Sequence, residues 1–254
     1  APGLSILAVP PVFVYHRTTK LFGWEYDLSI AVYLAKLFTL VLPTLVLIFF
    51  LYSFISEFLD DKRFRAAIIL SYALGSLAYP FTVLFFAHQL FSTAAFLSFY
   101  LLYKGVDAAG KKKLVFYGSA GVIAGLSIVI EYPAVVIAFV LGVWLVSADR
   151  SLKSLIYPAC ALPFVIILML INNAVFGSPF STGYAHLTSS FSVVHAKGVM
   201  GITYPHPEAL WALLFDSSRG LFPLAPHLAL GTAGLFLSVK YKKSLAILFP
   251  AFFI

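Results

Sequence analysis

Residues 154–176 read SLIYPACALPFVIILMLINNAVF, an apolar run without a charged side chain. It is long enough to cross a hydrocarbon core as a helix, which takes about 20 residues. Working outward, further apolar stretches lie at roughly 30–55, 66–86, 88–103, 114–131, 133–149 and 226–239, with a partial one at 244–254. Across its 254 residues the chain is 61% hydrophobic and 11% charged. A soluble domain carries about 25% charged residues. These features predict an all-α integral membrane protein: a polytopic helical bundle with about seven or eight transmembrane segments, forming a single transmembrane domain over residues 1–254.

The basic residues orient the bundle. Lys62, Arg63 and Arg65 follow the first span, Lys104, Lys111, Lys112 and Lys113 the third, Arg150 and Lys153 the fifth, and Lys240, Lys242 and Lys243 the seventh. Loops rich in Lys and Arg stay in the cytoplasm, so these four loops are expected inside, and the expected location is the inner (plasma) membrane. The net charge of +7 is thus an orienting signal, and no nucleic acid is expected as a partner. Cys160 is the single cysteine, so no intramolecular disulfide forms. Ala1-Pro2-Gly3 lacks an initiator Met and a basic n-region, so no signal peptide is read, and the chain reads as a fragment of a longer one.

Four elements then face outward: residues 1–29, the turn near Phe86 to Gln89, Glu131-Tyr132-Pro133, and a long extracytoplasmic loop at 177–225. All six histidines, His16, His88, His186, His195, His206 and His227, fall in or beside them. A loop as long as 177–225 is uncommon unless functional. Within it, Pro207 and Glu208 read as a helix start, which predicts a short interfacial helix from about Pro207 to Phe215, with Trp211 at headgroup depth.

Glu131 is the sharpest chemical candidate, because it ends an apolar stretch in which Ser127 is the only polar side chain. A carboxylate deep in a bilayer costs roughly 2.5–3.5 kcal/mol and usually serves function. The plainer reading is a solvated helix-end carboxylate beside the start of the next helix. His88, among Phe85, Phe86, Leu90 and Phe91, is a candidate to bind a phosphate or sugar hydroxyl, or else satisfies a loop carbonyl. In Asp216-Ser217-Ser218-Arg219-Gly220, Arg219 suits bidentate phosphate binding, although an Asp216–Arg219 pair closing a turn explains both charges. His186, His195, Tyr204 and His206 share no zinc-ligand spacing, and no Walker, HExxH, GxSxG or dinucleotide motif occurs.

Several short segments resemble polytopic glycosyltransferases of the GT-C superfamily, especially the bacterial and archaeal branch related to protein O-mannosyltransferases. They are Ala1-Pro2-Gly3-Leu4-Ser5 with Leu7-Ala8-Val9-Pro10, Tyr79-Pro80-Phe81 with Phe86-Ala87-His88, Glu131-Tyr132-Pro133, Phe176-Gly177-Ser178-Pro179, Pro207-Glu208-Ala209-Leu210-Trp211 and Leu214-Phe215-Asp216-Ser217-Ser218-Arg219-Gly220-Leu221-Phe222. The resemblance implies transfer of a sugar from a polyprenyl-phosphate carrier to an acceptor on the extracytoplasmic face. Membrane lipid and the lipid-linked sugar are then the partners. It also implies an acidic residue in the first external loop, acting as general base or as a metal-linked carboxylate, which leaves a divalent metal ion open as cofactor. Glu25 and Asp27 do not match that residue's usual place, so the catalytic acid is expected upstream of Ala1. The substrate-binding set read from the chain is His88, Glu131, Lys197, Tyr204, His206 and Arg219. The alternatives are a non-catalytic membrane subunit of the same type and a lipid-carrier transporter or flippase.

Overall fold

The computed structural model describes residues 1–186, 204, 206–218 and 220–238. Among these residues every regular element is helical. The first part comprises α1 (Gly3–Phe22), α2 (Leu28–Lys36) continuing through a π-helical turn (Leu37–Val41) into α3 (Leu42–Ile55), α4 (Lys62–Gly75) and α5 (Ala78–Val83). The main bundle follows as α6 (His88–Val106), α7 (Gly110–Ile130), α8 (Ala134–Ala148) and α9 (Ile156–Phe176), the last preceded by a 3-10 turn, Leu152–Leu155. Beyond another 3-10 turn, Gly183–His186, come α10 (Pro207–Phe215), α11 (Leu221–Leu224) and α12 (His227–Ser238).

Local chemistry sets many of the boundaries. Asp27 and Asp61 cap α2 and α4 by accepting hydrogen bonds from the amides of Ser29 and Arg63, both at 2.7 Å. Gly23 and Gly177 stop α1 and α9 in the left-handed region, at φ of 67° and 74°, where a Cβ is disfavoured.

The core is built around α7. Gly121 and Gly125 lie one turn apart, and a Cβ on Gly121 would collide with the Tyr157 carbonyl oxygen. A Cβ on Gly125 would stand 2.7 Å from the Phe164 ring and 2.8 Å from the Ala161 carbonyl. These small residues let the α7 and α9 backbones approach, as at many helix contacts in membranes. Residues 118–125 of α7 meet 156–164 of α9 in ascending order, so the two helices run in the same direction. Between them α8 returns, held where the Tyr157 hydroxyl donates to the Ala138 carbonyl at 3.0 Å. Phe99, Leu102, Tyr117, Leu141, Trp144, Leu145 and Tyr157 fill the centre. Against α6, the α3 side chain of Phe54 meets the rings of Phe96, Phe99, Tyr100 and Tyr103.

Three helical stretches are long and apolar enough to cross a membrane: Leu28–Ile55, Gly110–Ile130 and Leu152–Phe176. Ala134–Ala148 is apolar but shorter. Of the other expected spans, 226–239 holds the 12-residue α12, too short to be among them, and two more differ for clear reasons. The run 66–86 is not one helix. It breaks after Gly75, where the Ser76 hydroxyl bonds back to the Tyr72 carbonyl and accepts from the Ala78 amide to start α5. Pro80 sits in that new first turn, where a proline is tolerated. Helix α6 carries Gln89, Ser92, Thr93, Ser98 and Lys104, which lower its mean hydropathy. The expected partial span 244–254 lies outside the described residues.

Residues 1–29, read as an external stretch, fold mainly into α1, which pairs antiparallel with α2. The Asp27 amide donates to the Tyr15 hydroxyl at 3.2 Å. Gly3 abuts the backbone of Val129 and Ile130, and Leu4 packs with Leu40, Leu90 and Ile130. The hairpin thereby joins the bundle at the end where α6 begins and α7 finishes.

Candidate functional site

That same end holds the ion pair that organises the site. Helix α7 stops at Glu131, whose extended backbone (φ −145°, ψ 132°) and the following Pro133 turn the chain into α8. The break after α5 places His88 at the first position of α6. Far apart in sequence, the two side chains meet, with His88 Nδ1 2.7 Å from Glu131 Oε1. The carboxylate side chain is 18% exposed and the imidazole 55%. Glu131 thus has a specific partner, which accounts for a carboxylate at the end of an apolar helix. Phe81 meets the imidazole edge-on at 4.9 Å, and Phe86 lies parallel to it at 6.2 Å.

His88 lines a cavity of about 320 Å³ between α4, α5 and α6 on one side and α11 and α12 on the other. Its polar lining is Tyr72, Ser76, Gln89, Ser92 and His227. Gln89, 4% exposed, donates from Nε2 to the Tyr72 hydroxyl at 3.0 Å. The Ser92 hydroxyl bonds the His88 carbonyl at 2.9 Å, and the His227 ring lies against Gly75. With Nδ1 held by Glu131, Nε2 is the nitrogen of His88 left to meet a ligand. A carboxylate accepting at Nδ1 fixes the proton there, so Nε2 accepts when the ring is neutral and donates when the ring is an imidazolium, the form a neighbouring carboxylate favours. The arrangement therefore offers a cationic hydrogen-bond donor, or a neutral acceptor, beside hydroxyls and an amide, in largely apolar walls. That chemistry suits a phosphate or a sugar hydroxyl.

A second polar cluster stands at the same end. The Tyr132 hydroxyl donates to Asn172 Oδ1 at 2.9 Å, and Asn172 Nδ2 donates to the Pro179 carbonyl at 3.4 Å. Ser181 and His186 Nε2 share a hydrogen bond at 2.8 Å, and His186 stacks on Phe176 at 4.6 Å. These contacts fold the segment after α9 back over the end of the bundle.

Of the four described residues among the six expected to bind substrate, the structure brings His88 and Glu131 together. Tyr204 is 86% exposed, and His206 is the residue before α10, with no side-chain capping bond. Lys197 and Arg219 lie outside the described residues. A helix does occupy Pro207–Phe215. Next to it, Asp216 Oδ1 accepts from the amide and the hydroxyl of Ser218 at 2.7 and 2.5 Å, an Asx turn that needs no ligand. Among the described residues no group of three or more His, Cys, Asp or Glu side chains is placed to hold a metal ion. Tyr72, Gln89 and His227 were not legible as site residues. They come from three helices and share no spacing pattern, and the only sequence signal was polar side chains beside apolar runs.

Comparison with protein-family models, curated proteins and solved structures found no match.

Proposed function

We propose that this chain is a membrane glycosyltransferase of the GT-C type, moving a sugar from a polyprenyl-phosphate carrier to an acceptor on the extracytoplasmic face of the plasma membrane. On this reading the remaining hydrophobic helices join the three long ones to make a polytopic bundle of about seven or eight spans. The observation that carries the proposal is the Glu131-held His88 on a polar-lined cavity, at the end of an apolar bundle opposite its basic loops. Glycosyl transfer from a phosphate releases a phosphate whose developing charge needs donors. His88 would supply one through Nε2, with Glu131 fixing its orientation and favouring its charged form. Gln89, Tyr72 and His227 would line the way to the sugar, and the apolar walls would take the start of the isoprenoid tail. Lys197, Tyr204, His206 and Arg219 remain candidates for completing the donor site.

The test is sugar transfer in membranes holding the protein, supplied with polyprenyl phosphate carrying radiolabelled mannose or another hexose. Transfer that falls about a hundredfold in His88→Ala supports the assignment. Full transfer in both His88→Ala and Glu131→Ala would remove His88 and Glu131 from the site. Donor binding without transfer of any sugar would instead make the chain a carrier-binding subunit.

A further inference from the structure

The opposite end of the bundle carries a different chemistry. The loops after α3, α6 and α8 meet there, joined by two ion pairs. Glu57 binds Lys104 at 2.5 Å, and Asp149 binds Lys113 at 2.8 Å while also accepting from the Tyr117 hydroxyl at 2.7 Å. Asp61 is engaged in capping α4. Arg65 reaches the Asp60 carbonyl and lies over the Tyr52 ring. Most local carboxylates and some of the cations are thereby satisfied internally.

What is left is lopsided. Lys62, Arg63, Lys111, Lys112, Arg150 and Lys153 make no ion pair among the described residues, and all six are exposed. Among the described residues of this end, Asp60 and Asp107 stand against them as carboxylates outside an ion pair or a cap. Among these cations large apolar side chains point outward: Phe64 is 64% exposed, Leu155 56% and Leu152 84%. Cations interleaved with exposed apolar groups, on a rim where apolar helices end, fit neither a purely aqueous face nor a purely lipidic one. They match the level of a bilayer where acyl chains give way to phosphates.

We propose that this rim is a binding surface for anionic phospholipid headgroups. Phe64, Leu152 and Leu155 enter the edge of the acyl region, and the six cations outside ion pairs meet phosphates carrying net negative charge. One ion pair ties the segment after α3 to the end of α6 and the other ties the loop after α8 to the start of α7, on either side of the α6–α7 loop, so the cations act together. The proposal depends on the bundle crossing a membrane and not on which reaction occurs at the other end.

Its test is thermal unfolding of the whole protein in non-ionic detergent, titrated with phosphatidylglycerol or with zwitterionic phosphatidylcholine. Phosphatidylglycerol is expected to raise the midpoint by several degrees and phosphatidylcholine to do so far less, as mass action requires of a ligand bound to the native state. Replacing Lys111, Lys112, Arg150 and Lys153 together by Gln is expected to weaken the apparent phosphatidylglycerol affinity about tenfold or more. Equal stabilisation by the two lipids, or an unchanged response in the fourfold variant, would overturn the proposal. Should that variant fail to fold, the wild-type protein in roughly 0.5 M KCl decides the matter, since salt screens exposed charges. Loss of the phosphatidylglycerol effect supports the rim surface, and its persistence overturns it.

Discussion

A histidine that is 55% exposed and a carboxylate that is 18% exposed form an unequal pair. Glu131 is largely shielded by the turn into α8, so its charge is satisfied mainly by His88, while His88 keeps an open side. Replacing Glu131 by Gln keeps the volume and removes the charge. We expect it to lower transfer about tenfold or more, because the imidazole loses the group that orients it. Combining Glu131→Gln with His88→Ala is expected to cost little beyond His88→Ala alone, since the two side chains act as one unit. Fully additive losses would show that they act separately. Glu131 stood out in the sequence because charge at the end of an apolar run is costly. Its partner was visible only as a candidate, since nothing in the local pattern tells which of six histidines a carboxylate will meet. The break at Ser76 and the α6 start decide that.

At the scale of the elements, the tightest seam is α7 on α9. Gly121→Val would drive a branched side chain into the Tyr157 carbonyl. We expect this to cost about 3 kcal/mol, measured as a lower unfolding midpoint in detergent. Gly118→Ala should be nearly neutral, because a Cβ there meets Cys160 Sγ at an ordinary 3.6 Å. The far end of the same helix is held by Asp149. The Lys113 ammonium, then the Tyr117 hydroxyl, hold its carboxyl far below the usual carboxylate range. A depressed carboxylate contributes stability that is present above its unfolded value, about 4, and is lost as the pH falls through its native-state value. The difference in midpoint between the wild type and Asp149→Asn should therefore be steady from about pH 7 to 5 and shrink below about pH 4. A gap that widens on acidification would contradict this account. Long apolar helices such as α7 and α9 were legible because periodicity is irrelevant when every face is apolar and length alone decides. The helix at Pro207–Phe215 was legible from Pro207 and Glu208 at its start. The interruption of 66–86 was not, because a hydropathy window averages across Gly75, Ser76 and Pro80. The α1–α2 hairpin was missed for a related reason: Pro10 and Pro11 lie inside α1, where prolines ordinarily argue against a helix.

Over the whole molecule the polar groups separate to two ends. One end gathers His88, Glu131, Gln89, Tyr72, His227 and the Tyr132–Asn172 cluster. The other gathers the basic loops, cross-linked by Glu57–Lys104 and Asp149–Lys113. The alternation of Lys and Arg along the sequence anticipated this partition for the loops after α3, α6 and α8, because orienting charge is written locally in each loop. The composition of the cavity is set by tertiary packing and was written nowhere locally. If the bundle spans a membrane, the two ends face opposite compartments, and the site works on the side away from the basic rim. Impermeant maleimide labelling of single cysteines in a Cys160→Ala background measures this directly. Phe180→Cys reports on the His88 end, at a side chain 81% exposed, and Lys111→Cys reports on the rim. Phe180→Cys is expected to be labelled in intact cells and Lys111→Cys only after permeabilisation. Labelling of both from the same side, or of Lys111→Cys alone from outside, would contradict that expectation.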